Sequence, residues 1–377
     1  MRIAVNTRLL LPGRLDGIGW FSYESLRRIV AAHPEHEFLF LFDRKPDPQF
    51  LFAPNVKPLV LCPQARHPVL WYLFFEWSVT RVLRRYKADL FLSPDGWMSL
   101  RTKVPTLTVI HDLNFEHASD YLRPSHQRYM TRFFPRFARK ATRVATVSEF
   151  SKQDLVDTYG IGAEKIDVVY DGSHSNYQPV SEEQQQSTRL KYTQGKPYFI
   201  FIGTISKRKN ITNILLAYDK MRAATPQSQE KLVVVGHKFW WEGEVVEAYE
   251  NMRFKDDVVF LGRAEADELS LLLGSARALL YCSLFEGFGI PIIEAFNAHT
   301  PVVTSNLTSM PEVAGDAALL VDPYDTDAMA EAFARIATDD ELCSTLIECG
   351  LSRRNLFNWD RTAALLWESM SKTIQQC

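Results

Sequence analysis

The sequence predicts an α/β protein of two doubly wound domains, and three observations carry that expectation. With 377 residues, the chain is about two to three times a typical domain of ~100–200 residues. Through its first half, short apolar runs alternate with helical patterns, as in a parallel sheet covered by helices on both faces. A segment rich in Ser, Asn, Pro and Gln breaks that rhythm at residues 173–197, after which the rhythm starts again.

The first strand is placed at residues 3–6, followed by a glycine-bearing loop to Gly19 and a helix to about residue 32. Strands at 37–42, 89–93, 106–111 and 143–148 complete a first domain at residues 1–175. Residues 176–196 read as a linker, because Gln184, Gln185, Gln186 and their neighbours offer no apolar stripe to bury. A second domain at 197–357 carries strands at 198–203, 231–236, 258–261, 278–281 and 301–304, and helices at 210–221, 265–274, 291–299 and 325–337. Residues 358–377 form a closing segment with a helix near 361–372, expected to pack back on the first domain. Ligands of such sheets bind outside the carboxyl ends of the strands, so two sheets with facing strand ends would enclose a cleft.

A chain with 46% hydrophobic and 23% charged residues is neither disordered, collagen-like nor a disulfide scaffold. Its longest apolar run, residues 69–75, is far short of the ~18 residues of a membrane-spanning helix. The first residues lead into the strand-like Ile3-Ala4-Val5 rather than an export signal, so a cytoplasmic protein is expected. Cys62, Cys282, Cys343, Cys349 and Cys377 are scattered and odd in number; they read as reduced thiols, with no structural metal expected. The net charge of −2 is unevenly spread: residues 1–180 hold 24 Lys and Arg against 18 Asp and Glu, leaving 19 against 27 for the rest. The basic half is expected to meet something anionic, and no recognised motif makes that nucleic acid.

The most informative stretch is Glu286-Gly287-Phe288-Gly289-Ile290-Pro291-Ile292-Ile293-Glu294, which follows a strand and opens a helix. Glycines let the backbone approach a ligand, and the amides of a helix start carry partial positive charge, so the stretch suits a phosphate flanked by two carboxylates. A glycine-rich turn with a helix-start glutamate, Glu294 in the first turn, is the competing account. Lys207, Arg208 and Lys209 lie at another strand's carboxyl end, where they form either a solvated basic turn or a clamp for a leaving group that gathers negative charge. His111 ends a strand and precedes Asp112, a position open to either a structural or a catalytic role. Asp16-Gly17-Ile18-Gly19 lacks the third glycine of a dinucleotide fingerprint, which disfavours a dehydrogenase.

Taken in order, these motifs resemble those of the retaining GT-B glycosyltransferases of family 4. The Glu-(seven residues)-Glu stretch, Gly203–Asn210, His111-Asp112, Val147–Ser151, Ser305–Gly315 and Phe357-Asn358-Trp359 correspond to successive family elements and span essentially the whole chain. The resemblance implies a GT-B fold of two Rossmann-like domains, with nucleotide sugar on the C-terminal one and acceptor on the N-terminal one. It implies no cofactor and no metal, only a nucleotide-sugar co-substrate, GDP-mannose being favoured over a UDP-sugar. It assigns catalysis to His111, Glu286 and Lys209. Donor binding falls to Thr204, Arg208, Lys209, Gly287, Phe288, Gly289, Ile290 and Glu294, with Glu294 on the ribose hydroxyls. Gly17 and Gly19 border the donor phosphate and acceptor pockets through their amides. Thr204 departs from the family, many members of which carry Arg there, and this leaves open which of Arg208 and Lys209 is essential. A nucleotide-sugar 2-epimerase and a non-catalytic nucleotide-sugar-binding protein are the alternatives to a transferase.

Arg128, Arg132 and Arg136 recur every four residues among Tyr129, Phe133, Phe134 and Phe137, joined by Arg123, Arg139, Lys140 and Arg143. Trp71, Tyr72, Phe74, Phe75 and Trp77 followed by Arg81, Arg84, Arg85 and Lys87 repeat the theme. Either these are core aromatics with a solvated basic face, or the face lies peripherally against anionic lipid. The second reading would suit an acceptor that is a cell-surface glycan or a lipid-linked saccharide.

Overall fold

The computed structural model describes residues 1–117, 122–174, 176–238 and 241–376. The chain divides into two compact units, Met1–Gly172 with Asn358–Cys377, and Ser173–Phe357.

The first unit contains strands β1 (Arg2–Asn6), β2 (Glu37–Phe42), β3 (Val56–Val60), β4 (Leu90–Ser93), β5 (Thr106–Val109), β6 (Arg143–Thr146) and β7 (Ile166–Val168). Its helices are α1 (Gly17–Ala32), α2 (Pro68–Leu73), a π-helical turn Phe74–Val79, α3 (Thr80–Arg85), α4 (Asn114–His117), α5 (Pro124–Lys140) and α6 (Glu149–Tyr159). The strands form one sheet in the order β3-β2-β1-β4-β5-β6-β7, with parallel pairing throughout. Helices on both faces explain why Phe38 to Phe42 are all buried, where a half-exposed strand would alternate.

The second unit contains α7 (Glu182–Thr193), β8 (Tyr198–Ile202), α8 (Ile211–Ala224), β9 (Lys231–Val235), α9 (Glu244–Glu250), β10 (Val258–Gly262), α10 (Ala266–Gly274) and β11 (Ala278–Tyr281). It continues with α11 (Ile290–Asn297), β12 (Val302–Ser305), α12 (Met310–Ala314), β13 (Leu319–Val321), α13 (Thr326–Thr338) and α14 (Asp340–Arg353). Its sheet has the order β10-β9-β8-β11-β12-β13, again parallel. The last helix, α15 (Trp359–Gln375), belongs to the first unit and packs along α1, where Arg28 Nε meets Asp360 Oδ1 at 2.6 Å.

Several sequence expectations need correction. The segment read as linker holds α7, which starts with a reciprocal capping box between Ser181 and Gln184. That cap, with Arg189 Nε donating to Ser275 O at 3.2 Å, holds a helix that buries only Thr188 and Thr193 and therefore shows no apolar stripe. Strands β3, β7 and β13 were not anticipated. β3 is an edge strand with Pro58 inside it and a largely exposed pattern, and the other two are three residues long. Cys62, Cys282, Cys343 and Cys349 are free thiols, and Cys377 lies outside the described residues. Among the described residues no helix is long and apolar enough to cross a membrane.

Candidate active site

In each sheet the strand order reverses at one point, between β1 and β4 in the first unit and between β8 and β11 in the second. The loops that leave neighbouring strands there diverge to opposite faces, which opens a crevice at their carboxyl ends. The sequence-predicted residues of the second unit meet at this position.

The loop after β8 runs through Gly203 to the single turn Lys207–Lys209, and Asn210 (φ +58°) starts α8. Asn210 is buried, and its amide donates to Cys282 O at 3.1 Å and Pro323 O at 2.7 Å, tying the basic turn to the loop after β11. Arg208 Nη1 donates to Phe285 O at 2.8 Å and pairs with Glu286 Oε2 at 2.7 Å. Lys209 Nζ pairs with Glu286 Oε1 at 2.7 Å and donates to the Tyr281 hydroxyl at 2.7 Å. Two cations from one strand's loop thus converge on one carboxylate from its neighbour's.

Burial opposes the charge on Glu286, but the Lys209 and Arg208 charges overcome it and hold the carboxyl at about 2. Burial pushes Glu294 the other way, up to about 8, against a hydrogen bond from Tyr177. At neutral pH one carboxyl is therefore ionised and the other protonated. Gly289 (φ +113°) starts α11, a backbone conformation that favours glycine. Counted from there, Glu294 is the fifth helical residue and not in the first turn as expected; Ile290, Pro291, Ile292 and Ile293 occupy that turn. Phe288 packs inward, edge-on to Phe357 at 5.4 Å. Ser309 Oγ donates to Glu286 O at 2.9 Å and Phe288 O at 2.8 Å, bracing the loop from the segment after β12. Thr204 is exposed.

At the first unit's switch point the cluster has a different charge balance. Asn6 Nδ2 donates to Asp95 Oδ1 at 2.7 Å and Ser93 Oγ at 3.1 Å, and Arg8, its side chain 9% exposed, pairs with Asp95 Oδ2 at 2.7 Å. His111 follows β5, donates from Nε2 to Pro94 O at 2.8 Å, and stands edge-on to Phe21 at 4.9 Å. Since a carbonyl only accepts, Nε2 carries the proton and Nδ1 is left as the acceptor. Burial lowers the His111 pKa, which keeps the ring neutral. Ser148 caps α6 through Ser151 N at 3.0 Å, and Ser151 Oγ donates to His111 O at 3.2 Å, joining two of the predicted motifs. Gly17 opens α1 and is exposed, but the Gly19 N–H donates to the capping Asp16 Oδ1 at 2.9 Å. The Gly19 amide is thus engaged by its own helix cap.

Sequence reasoning missed Tyr281, Tyr177, Asn6, Arg8 and Asp95. The position of Asn6 at the end of the first strand and of Asp95 just past the fourth was a usable signal, since switch-point loops follow those strands. Nothing marked the two tyrosines. Trp71, Phe74, Phe75, Phe134 and Phe137 are core, as the first aromatic-basic account expects, whereas Tyr72, Leu73 and Trp77 are exposed, as are Arg81, Arg84 and Arg85. Arg143 leaves that set, because it is buried against Asp167 at 2.7 Å.

Two doubly wound parallel sheets with such a cluster define the GT-B class of glycosyltransferase. Residues 182–353 match the family model for glycosyl transferases group 1, and residues 15–174 that for glycosyltransferase family 4. The chain is 30% identical over 362 residues to an O-antigen chain mannosyltransferase B from Escherichia coli, covering 92% of this chain and 93% of that protein. It is 26% identical to O-antigen chain mannosyltransferase RfbU from Salmonella typhimurium over 75% of each. Among solved structures, sucrose-phosphate synthase from Thermosynechococcus elongatus superposes with a TM-score of 0.75 at 19% identity, over 98% of each chain. HepE from Anabaena, solved in complex with UDP-glucose, does so with 0.74 at 18%, over 99% of this chain and 100% of that one. The chain belongs to the group 1 glycosyltransferases and is a glycosyltransferase enzyme.

Proposed function

We infer that the chain transfers mannose, with retention at the anomeric carbon, from GDP-mannose to a cell-surface glycan or lipid-linked saccharide. The observation that carries the donor site is the meeting of Lys209, Arg208 and Glu286 at 2.7 Å at the β8–β11 switch point. The mannosyl reading is supported by the two O-antigen mannosyltransferases to which the chain is similar, and the nucleotide-sugar reading by the HepE complex with UDP-glucose.

In this reading Arg208 and Lys209 stabilise the diphosphate as its oxygen takes the electrons of the breaking sugar bond. The backbone of residues 287–290 adds helix-start amides. Glu286 accepts hydrogen bonds from hydroxyls of the transferred sugar, which its ionised state suits. Glu294, a proton donor at neutral pH, meets the ribose hydroxyls. His111 offers its Nδ1 lone pair to a sugar hydroxyl. The acceptor oxygen bonds to the anomeric carbon on the face the diphosphate leaves, and its proton passes to the departing phosphate oxygen.

An anionic membrane is the proposed setting. Val69, Tyr72, Leu73 and Trp77 are exposed, and Tyr72 stands 6.1 Å from Phe133 of α5, whose Arg128, Arg132 and Arg136 are exposed too. Apolar side chains ringed by arginines fit an interface of acyl chains and anionic headgroups. A thermal-shift screen of GDP, UDP, ADP and their mannose and glucose conjugates tests the donor. Selective stabilisation by GDP and GDP-mannose supports it; stabilisation by UDP-sugars alone overturns the choice of base. Product analysis with a mannosylated lipid acceptor separates transfer from isomerisation of the donor.

A further inference from the structure

The only group of His, Cys, Asp and Glu side chains among the described residues that comes close enough to share an ion is His33, Glu35 and His36, whose ligand atoms all lie within 4.8 Å of one another. It sits in the turn between α1 and β2, at the amino end of the first unit's parallel sheet, opposite the strand ends that carry Asn6 and Asp95. We propose that this turn is a binding site for a zinc-class transition-metal ion, held by His33 Nδ1, Glu35 Oε1 and His36 Nε2.

Two of the three ligand-to-ligand edges fit a tetrahedral face. Zn–N and Zn–O bonds of about 2.0–2.2 Å place neighbouring tetrahedral ligands about 3.3–3.5 Å apart. His33 Nδ1 lies 3.4 Å, and His36 Nε2 3.3 Å, from the same Glu35 oxygen. In the metal-free chain each ring can donate a proton to that oxygen. In the other tautomers both nitrogens and the oxygen have lone pairs to offer a cation; for His36 this puts the proton on Nδ1, which requires the Met1 ammonium, 3.5 Å away, to swing clear. Two imidazoles with one carboxylate favour zinc, nickel or copper over magnesium or calcium.

The turn is also braced for the purpose. Pro34 ends the helix, and His36 N donates to His33 O at 3.2 Å, which brings both rings to one side. The side-chain amide of Asn55 donates to Val30 O and His33 O at 3.2 Å and to His36 O at 3.1 Å, fixing the turn's carbonyls. On α15, Trp367 stacks on the His33 ring at 3.6 Å between centroids and on His36 at 5.4 Å. Ligands held this way lose little freedom when they bind. An ion here fastens the end of α1 to the start of β2 beneath α15, a stabilising clamp on the unit away from the loops that follow its strands.

The site is independent of the transfer reading, and binding rather than turnover tests it. Untagged full-length protein, stripped with a chelator, is titrated with Zn2+ alone against a micromolar indicator, with Mg2+ as control, and its melting temperature is followed. The expected result is one zinc per chain at micromolar affinity with a raised melting temperature, no response to Mg2+, and at least tenfold weaker binding in Glu35→Gln and His36→Gln. Glu35 is exposed, so its variant should keep the metal-free melting temperature of the parent, which separates lost binding from lost fold. Ni2+ should quench the fluorescence of Trp367, and Trp367→Phe should remove that component. Absence of zinc binding at micromolar concentration, or undiminished binding in both variants, as an ion on the exposed Cys62 would give, overturns the proposal.

Discussion

The two switch points solve one steric problem with opposite charge arithmetic. In the first unit a single cation, Arg8, meets a single carboxylate, Asp95, with Asn6 and Ser93 filling the remaining bonds. In the second, Arg208 and Lys209 share Glu286, so these three side chains carry one positive charge more than negative. A balanced buried pair holds loops in place, whereas two cations on one carboxylate prepare a place for a further anion. On the proposed donor reading, the same crevice is a rigid corner in one sheet and a phosphate site in the other.

The harshest way to break the comparison is to delete each carboxylate. Asp95→Ala leaves the largely buried Arg8 without its charge partner and should destabilise the protein by about 3–5 kcal/mol in denaturant melts, with GDP affinity unchanged. Glu286→Ala should abolish transfer while GDP binding is kept or tightened, because the cations lose a competitor for phosphate. Equal loss of GDP binding in both variants would erase the distinction. Next in size, Lys209→Ala should lower kcat for transfer by about 10²–10³-fold, the effect of removing one preorganised donor to developing charge.

The carboxyls of the second unit sharpen it through pH. Glu294, at about 8, keeps in the folded state a proton that the unfolded chain gives up above its ordinary value of 4.5. Stability therefore falls as pH rises through that window, at up to about 1.4 kcal/mol per pH unit, and levels off above it. Glu294→Gln should remove this component, so its melting temperature should gain on wild type from pH 5 to pH 8 and then hold steady. Glu286, held at about 2, behaves oppositely: its contribution is complete above 4.5 and is lost as pH falls toward 2. A parallel pair of melting curves for Glu294→Gln and wild type would contradict the assignment. The smallest effect belongs to Tyr281→Phe, which removes one hydrogen bond to Lys209 and should cost transfer about tenfold, with the fold retained.

What the sequence revealed depended on the kind of signal. Buried strands such as β2 and β11 were legible with their ends, because they are apolar on both faces and bounded by turns. β3 was hidden by its exposed edge and Pro58, and α7 by a polar surface whose only sequence signature is its cap. The Glu286 loop and the basic turn were legible because glycine, proline and charge cluster in them. Their mutual pairing was not, since it depends on β8 and β11 lying side by side although β9, β10 and three helices separate them in the chain. Tyr281 and Tyr177 read as ordinary core aromatics, and only the fold turns their hydroxyls toward Lys209 and Glu294.

The most direct test of the central claim is calorimetric titration of GDP into wild type, Lys209→Ala, Arg208→Ala and Asp95→Asn. The charge arithmetic predicts that wild type and Asp95→Asn bind GDP alike, while each loss of a cation in the second unit weakens binding at least tenfold. GDP affinity that survives removal of both cations, or that falls with Asp95→Asn instead, would contradict it.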